Sequence, residues 1–210
     1  RGLGDVYKRQ VYIWSVYTEC LHGMPSKCPI RVAVPVNLRP YFNSITTKNF
    51  FVMVSAEFHP TKETYTFAEV AAIVKESLRS QINRENLEKL FSYNVSNEKL
   101  LIARVVPLFL KNLAMKYVYT TSALANTATI TNIGNISVTE EYRPYVEMFH
   151  AFLAMSKGQH LKGTICSYGD TLVFSFSYDL VDASVQRGFF RKIASDGIAV
   201  EIKSNGVNYE

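Results

Sequence analysis

The side chains best suited to act as general bases near neutral pH are the histidines, because imidazole titrates in that range. They are His22, His59, His150 and His160. None of them is followed by an aspartate four residues later. His150 lies in an alternating apolar segment, which favours a structural role, and His59 and His160 lie in polar segments typical of loops. The histidines alone therefore predict no catalytic site.

Signatures of several common mechanisms are absent from the sequence. It contains no G-x-x-x-x-G-K-[ST], no G-x-G-x-x-G and no G-x-S-x-G, which argues against phosphate-loop, Rossmann and α/β-hydrolase chemistry. The cysteines Cys20, Cys28 and Cys166 include no C-x-x-C pair. They predict neither a disulfide framework nor a metal site, and they fit a reducing, cytoplasmic location.

The composition is that of an ordinary soluble globular chain, with 48% hydrophobic and 20% charged residues. Its 210 residues are enough to build one hydrophobic core without disulfides. The formal net charge is +5, but no block of five or more consecutive Lys and Arg residues occurs. Nucleic acid is therefore not a predicted partner.

The apolar patterns predict an α+β fold with a mixed or mainly antiparallel sheet and helices packed on one face. Strands are predicted over 30–38, 49–58, 128–134, 145–155, 163–168 and 171–178, and a last one over 198–202. The turn Tyr168-Gly169-Asp170 predicts that the segments on either side of it pair as a hairpin.

Helices are predicted where apolar residues recur every three or four positions. Thr66 and Glu69 form a capping box that opens a helix with its apolar face on Phe67, Val70, Ala71, Val74 and Leu78. Further helices are predicted over 85–91, over 100–119, and from Asp182 or Ser184 to Gly197. The 100–119 segment is too charged and too broken to span a membrane, and weak contact with a membrane surface is one interpretation of it.

Several segments spread over residues 30–205 resemble, in order, the C-terminal lobe of CoA-dependent acyltransferases of the chloramphenicol acetyltransferase superfamily. They are RVAVPVNLRPYF with NFF, PLFLKN, ATITNIGNI and GFFRKIASDGIAVEIKSN. The closest likeness is to bacterial alcohol O-acetyltransferase-like proteins. The resemblance implies one lobe of that fold, acyl-CoA as co-substrate, an alcohol acceptor, and no bound cofactor or metal.

In that superfamily the catalytic base is the histidine of an H-x-x-x-D-G motif at a strand end, which two-lobed members carry in the N-terminal lobe, usually as HHxxxDG. This sequence contains no such motif. At the equivalent position of the C-terminal lobe, Tyr178, Asp182 and Ala183 stand where His, Asp and Gly would be. A phenol is a poor base at neutral pH, so we interpret the segment as a degenerate motif in which Asp182 caps a helix.

The resemblance also implies roles for four other side chains. Thr131, supported by Asn132, would donate a hydrogen bond to the tetrahedral oxyanion and so lower the activation barrier by about 3 kcal/mol. Arg39 and Asn49 would line the channel that admits CoA or the acceptor. The structural alternatives are a polar strand end with a turn at Gly134, an interlobe ion pair for Arg39, and backbone capping by Asn49.

The expected domain organisation follows from the same resemblance. Residues 1–10, RGLGDVYKRQ, resemble a translated sequencing-adapter tail and are expected to be artefactual or disordered. Residues 11–24 are expected to be the trailing helix of a missing N-terminal lobe, and residues 25–210 the C-terminal lobe. The resulting hypothesis is a fragment of an acyl-CoA-dependent O-acyltransferase, an enzyme whose base and partner lobe lie outside this sequence.

Three other interpretations stay open. The chain could be the C-terminal lobe of a peptide-forming condensation domain, which genomic context would identify. It could be a noncatalytic binding or membrane-surface scaffold that acts through the 100–119 helix. It could also be a single-lobed trimeric transferase, but Tyr178 opposes this because every subunit would then lack a base.

Overall fold

One open sheet organises the computed structural model, which describes residues 2–43, 45–99 and 106–205. Its strands are β1 (Ile30–Asn37), β2 (Phe51–Phe58), β3 (Ala128–Asn135), β4 (Leu161–Tyr168) and β5 (Thr171–Tyr178). The strand order is β2-β1-β3-β4-β5, with both outer pairs antiparallel and the two inner pairs parallel. The expected α+β fold with a mixed sheet is confirmed.

The helices of the described residues lie before β1, in the connection from β2 to β3, and after β5. They are α1 (Gly2–Ser15), which continues into a π-helical turn over Val16–Cys20, α2 (Phe67–Gln81), α3 (Arg84–Lys99), α4 (Leu108–Leu124) and α5 (Ser184–Ser195). A short 3-10 turn spans Arg143–Tyr145. Among the described residues, no helix has both the length and the apolar character that crossing a bilayer requires.

The two faces of the sheet differ in chemistry because successive strand residues point to opposite sides. The first face is apolar and packs against α1, α2 and α5. Its buried side chains are Ile30, Val32, Val34, Val52, Val54, Ala56, Phe58, Ala128, Ile130, Leu161 and Ile165. The second face carries the polar residues Thr129, Thr131, Lys162, Thr164, Ser175 and Ser177.

Helix α1 belongs to the core of this fold. Val11, Tyr12 and Ile13 are buried in the same cluster as the first face of the sheet. Before them, the Gln10 side chain donates to the Ala71 carbonyl at 2.7 Å, and the Tyr7 hydroxyl donates to Asp196. Residues 2–10 are thus helical, where the sequence suggested an artefactual or disordered tail, and α1 crosses the expected boundary at position 10 without a break.

An aromatic cluster joins α5 to the β4–β5 hairpin. The Phe189 ring lies 4.4 Å from the Phe174 ring and 5.2 Å from the Phe176 ring, measured between centroids. Gly163 on the neighbouring strand leaves room for the Phe174 ring, because a Cβ atom at position 163 would lie 3.0 Å from that ring. This cluster fixes where the chain leaves β5 and enters α5.

Helix α2 also protects the outer edge of the sheet, where unpaired backbone groups would otherwise invite another strand. The Ser55 amide donates to Gln81 Oε1 at 3.2 Å, and the Glu57 amide donates to Ser77 Oγ at 3.1 Å. The Gln81 side chain in turn donates to the Ser55 carbonyl. These contacts replace a sixth strand along β2.

Several sequence expectations are corrected by the structure. The segments 145–155 and 198–202 alternate like strands, but neither forms a strand, because neither runs beside a strand edge with which it pairs. The helix expected over 85–91 extends over Arg84–Lys99. Of the helix expected over 100–119, residues 100–105 lie outside the described residues. Helix α4 begins directly after Pro107. Proline is tolerated there because an N–H group at the start of a helix would have no partner within the helix.

The capping box predicted for α2 is confirmed. Thr66 Oγ1 accepts a hydrogen bond from the Glu69 amide, and the Glu69 carboxylate accepts one from the Thr66 amide at 2.7 Å. Glu69 also forms an ion pair with Lys62. The Lys62 ammonium, followed by the Thr66 amide and hydroxyl, lowers the pKa of Glu69 to about 2.

This lowered pKa predicts a pH-dependent contribution to stability. A carboxyl group whose pKa is lower in the folded state stabilises the fold above its unfolded pKa of about 4.3, and that contribution is lost as pH falls towards 2. We expect Glu69→Gln to reduce the urea midpoint at pH 7 and to have little effect near pH 2, with the surface residue Glu88→Gln as control. An equal loss at both pH values would contradict the assigned role of the charge.

Candidate functional site

The TNIG segment forms an irregularity in the centre of the sheet. The register between β3 and β4 shifts between Asn132 and Gly134, so that Ile133 is an inserted residue. Gly134 has a φ of +89°, a conformation that side-chain-bearing residues rarely adopt. The Asn132 side-chain oxygen accepts a hydrogen bond from the Gly134 amide at 2.8 Å. The bulge therefore explains why Asn and Gly occur at positions 132 and 134. Within the bulge, the Asn132 side chain binds the backbone.

Thr131 precedes the bulge and lies on the second face of the sheet. It is the register partner of Thr164 on β4, and Thr164 is the partner of Ser175 on β5, so three hydroxyl side chains cross the sheet in one row. Thr131 is half-buried, whereas Thr164 and Ser175 are buried. We call these three residues the hydroxyl row.

Thr164 is the unusual member of the hydroxyl row. Its Oγ1 atom is buried and has no hydrogen-bond partner in the described part of the structure. A buried hydroxyl without a partner costs free energy, so native proteins seldom keep one without a reason. Beside it, Thr131 is half-buried and is the member of the row that a ligand oxygen could reach.

An extended segment partly covers the second face beside the hydroxyl row. The Lys162 ammonium donates to the Ala154 carbonyl at 2.7 Å and also to the Ser156 hydroxyl. The Cys166 thiol donates to the Phe149 carbonyl at 3.1 Å. Residues 149–156 are thus held against β4 by side chains, although they add no strand to the sheet.

The segment from Tyr178 to Ala183 connects β5 to α5. The N-cap residue of α5 is Ala183, without a side-chain cap, and not Asp182 or Ser184 as the sequence suggested. Tyr178 is the last residue of β5, and its side chain is exposed. Asp182 accepts hydrogen bonds from the Ser184 amide at 2.9 Å and from the Ser184 hydroxyl at 2.7 Å. Both bonds lower the pKa of Asp182, and the bond from the hydroxyl has the larger effect. Asp182 therefore stays ionised at the beginning of α5.

The structure adds a histidine to this region that sequence reasoning did not assign. His160 Nδ1 lies 3.0 Å from Asp179 Oδ1, and both side chains are about half exposed. A carboxylate on Nδ1 holds the imidazole in place and leaves Nε2 available as an acceptor. The pair is the described arrangement in this chain that most resembles a general base with its orienting group.

Cys20 lies close to the same motif but is a weak nucleophile. Partial burial raises the pKa of its thiol, and the negative charges of Asp182 and Glu19 raise it further. Because the thiolate is the reactive form, a raised pKa keeps this side chain unreactive near neutral pH. Cys28 and Cys166 are also free thiols.

Arg39 organises the loop between β1 and β2. Its guanidinium donates to the Thr46 carbonyl at 3.0 Å, to the Lys48 carbonyl at 2.7 Å and to Asn37 Oδ1 at 3.3 Å. Asn49 is exposed at the end of this loop. Arg39 therefore binds loop backbone, while contact of either residue with CoA or acceptor stays a prediction.

The predicted site residues do not form one cluster. Strands β1, β3 and β4 are parallel and begin at the same edge of the sheet. Tyr178 and Asp182 lie at that edge, because β5 is antiparallel to β4 and ends there. Arg39 and Asn49 lie at the opposite edge, where β1 ends and β2 begins, and Thr131 lies between the two edges.

The other histidines lie outside these groups. His59 Nε2 is 3.1 Å from the Ser26 carbonyl oxygen. His150 is exposed and stacks on Phe152, and His22 is exposed after the π-helical turn. Within the residues that the structure describes, no group of three or more His, Cys, Asp and Glu side chains could hold a metal ion.

Comparison with known proteins leaves the family of the chain open. The sequence matches no protein-family model and no curated protein. The resemblance to the acyltransferases therefore stays a prediction based on the residues quoted above.

Proposed function

We propose that this chain is the C-terminal lobe of an acyl-CoA-dependent O-acyltransferase that moves an acyl group, in the simplest case acetyl, to an alcohol. In this reaction a histidine on a second lobe removes the proton of the alcohol. The alkoxide attacks the carbonyl carbon of the acyl-CoA, and the tetrahedral intermediate then expels the CoA thiolate. The reaction needs no metal or prosthetic group.

The observation that carries the proposal is the arrangement around the degenerate motif. The resemblance requires a hairpin, then the motif, then a helix, and the chain has β4 and β5, then Tyr178 to Ala183, then α5. The aromatic cluster around Phe189 holds this arrangement. This order supports a lobe that keeps the architecture of the motif without its base.

The hydroxyl row gives the proposed lobe a chemical contribution of its own. Thr131 is the half-buried member of the row, and a hydroxyl in a partly dry site stabilises a developing oxyanion more strongly than water does. Asn132 binds backbone in the bulge, so its proposed part is to fix the conformation that orients Thr131. The free thiols support a reducing, cytoplasmic location for the enzyme.

The sequence of the gene upstream of the Val11 codon tests this proposal. The proposal predicts an open frame that continues upstream and encodes an H-H-x-x-x-D-G motif. An in-frame stop codon directly upstream, or a native initiation site at the Arg1 codon, would contradict it. Adenylation or carrier modules in the same frame would instead favour the peptide-forming condensation domain.

A further inference from the structure

The two outer edges of the sheet differ in how they are protected. Side chains of α2 cover the edge of β2, whereas β5 is the last strand on the other side. Among the described residues, no backbone group outside β4 forms a hydrogen bond with the backbone of β5. The strand also contains neither proline nor a charged residue, the usual means of keeping an exposed edge from pairing. The outer edge of β5 is therefore open to a further strand.

The register of the hairpin identifies the open backbone groups. Tyr168 and Thr171 flank a two-residue turn and exchange hydrogen bonds, and along an antiparallel ladder such pairs alternate with pairs that do not bond each other. The N–H and C=O groups of Leu172, Phe174 and Phe176 consequently point away from β4. The side chains of these three residues lie on the first, apolar face of the sheet.

The chain also carries a strand-like segment that pairs with no strand among the described residues. Residues 198–203 read IAVEIK, so that large apolar side chains alternate with alanine and charged side chains. The segment follows α5 directly and lies outside the sheet. Ile198 and Ile202 are 51% and 66% exposed. This alternation together with this exposure is typical of a strand whose partner edge belongs to another molecule.

From these observations we infer that two copies of this chain exchange strands, with residues 198–203 of one copy paired to the open edge of β5 in the other. The exchange matches both faces of the sheet. The isoleucines extend the first face beside Phe174 and Phe176, while Glu201 and Lys203 lie on the polar second face. The match holds for parallel and antiparallel addition, because side chains alternate with a period of two in both.

A second copy is the partner that satisfies both features at once. Each chain has one open edge and one unpaired segment, so two chains related by a twofold axis pair all of these backbone groups. A partner that offered only an edge, or only a strand, would leave the other feature open. Gly197, with a φ of +85°, lets the chain change direction between α5 and the segment. This inference is independent of the proposed acyl transfer.

Amide hydrogen exchange followed by NMR on the purified 210-residue chain tests this inference. We expect sedimentation equilibrium to show a reversible dimer with twice the mass of the 23.8 kDa chain. In the dimer, exchange at the amides of Leu172, Phe174 and Phe176 should slow at least about tenfold relative to the dilute monomer. The amides of Val173 and Ser175 are the internal control, because they donate to β4 and should be protected in both states.

Matched variants locate the interface. Val200→Pro/Glu201→Pro removes donors on both sides of the segment, so one of them faces β5, and it should abolish the dimer. Ile198→Ser/Ile202→Ser should raise the dissociation constant at least about 100-fold, because four side chains per dimer lose burial. Leu113→Ser/Tyr117→Ser is the control, since those residues are 67% and 72% exposed but lie on α4. All variants should keep the circular dichroism spectrum of the parent chain.

Three results would overturn the inference. The first is a chain that stays monomeric at about 1 mM. The second is a monomer in which the amides of Leu172, Phe174 and Phe176 are already protected, which would place the segment on β5 of its own chain. The third is a dimer that Leu113→Ser/Tyr117→Ser dissociates and Ile198→Ser/Ile202→Ser does not, which would assign the interface to α4.

Discussion

Phe189→Ala is expected to lower the free energy of unfolding by about 4 kcal/mol, the range measured for loss of a fully buried phenylalanine. Phe189 is completely buried, and its ring contacts the rings of Phe174 and Phe176 on β5. Truncation leaves a cavity between α5 and the hairpin, which a rigid sheet cannot close. Urea unfolding followed by circular dichroism measures the loss.

The matched control for this variant is Phe152→Ala, because Phe152 is 66% exposed. We expect that control to change stability by less than about 0.5 kcal/mol. If Phe189→Ala were also tolerated at that level, the aromatic cluster could not be what fixes the chain between β5 and α5. The support that this arrangement gives to the acyltransferase proposal would then be lost.

Thr131→Val is expected to reduce kcat by about 100-fold in the protein expressed from the complete reading frame, the effect typical of losing one oxyanion donor. Valine keeps the shape of threonine and removes only the hydroxyl. KM for acyl-CoA should change little, because the oxyanion forms only after the substrate has bound. Steady-state kinetics that follow CoA release separate the two constants.

Thr129→Val is the control for Thr131→Val. Thr129 lies on the same strand and the same face, two residues earlier, where its hydroxyl donates to Gln159 Oε1 at 3.4 Å. We expect nearly unchanged kcat for this variant. A decrease in kcat below about threefold for Thr131→Val, or equal decreases for both variants, would show that the Thr131 hydroxyl does not support catalysis.

Local sequence signals predicted the parts of the fold whose causes are local. The capping box at Thr66, the turn at Gly169 and the alternation of Phe174 and Phe176 each act within a few residues, and each prediction is confirmed. The sequence alone could not show that the alternating segment 145–155 has no strand edge beside it. Strand formation needs a neighbour, and the position of the neighbour is a property of the whole fold.

The pairing of His160 with Asp179 was within reach of sequence reasoning. Once the hairpin turn sets Tyr168 opposite Thr171, counting outward along both strands brings His160 opposite Asp179. The signal was therefore the register of the hairpin and not a motif. The hydroxyl row could not be found in this way, because the parallel pairing of β3 with β4 depends on the long connection between them.

In the proposed acyltransferase, the catalytic base lies outside this chain. The most direct test of this proposal is CoA release by the purified 210-residue chain, given acetyl-CoA and a simple alcohol and followed with a thiol reagent. We expect a rate equal to background hydrolysis, unchanged by His160→Ala. Alcohol-dependent CoA release above background, abolished by His160→Ala, would assign the base to the His160–Asp179 pair and overturn the proposal that a second lobe supplies it.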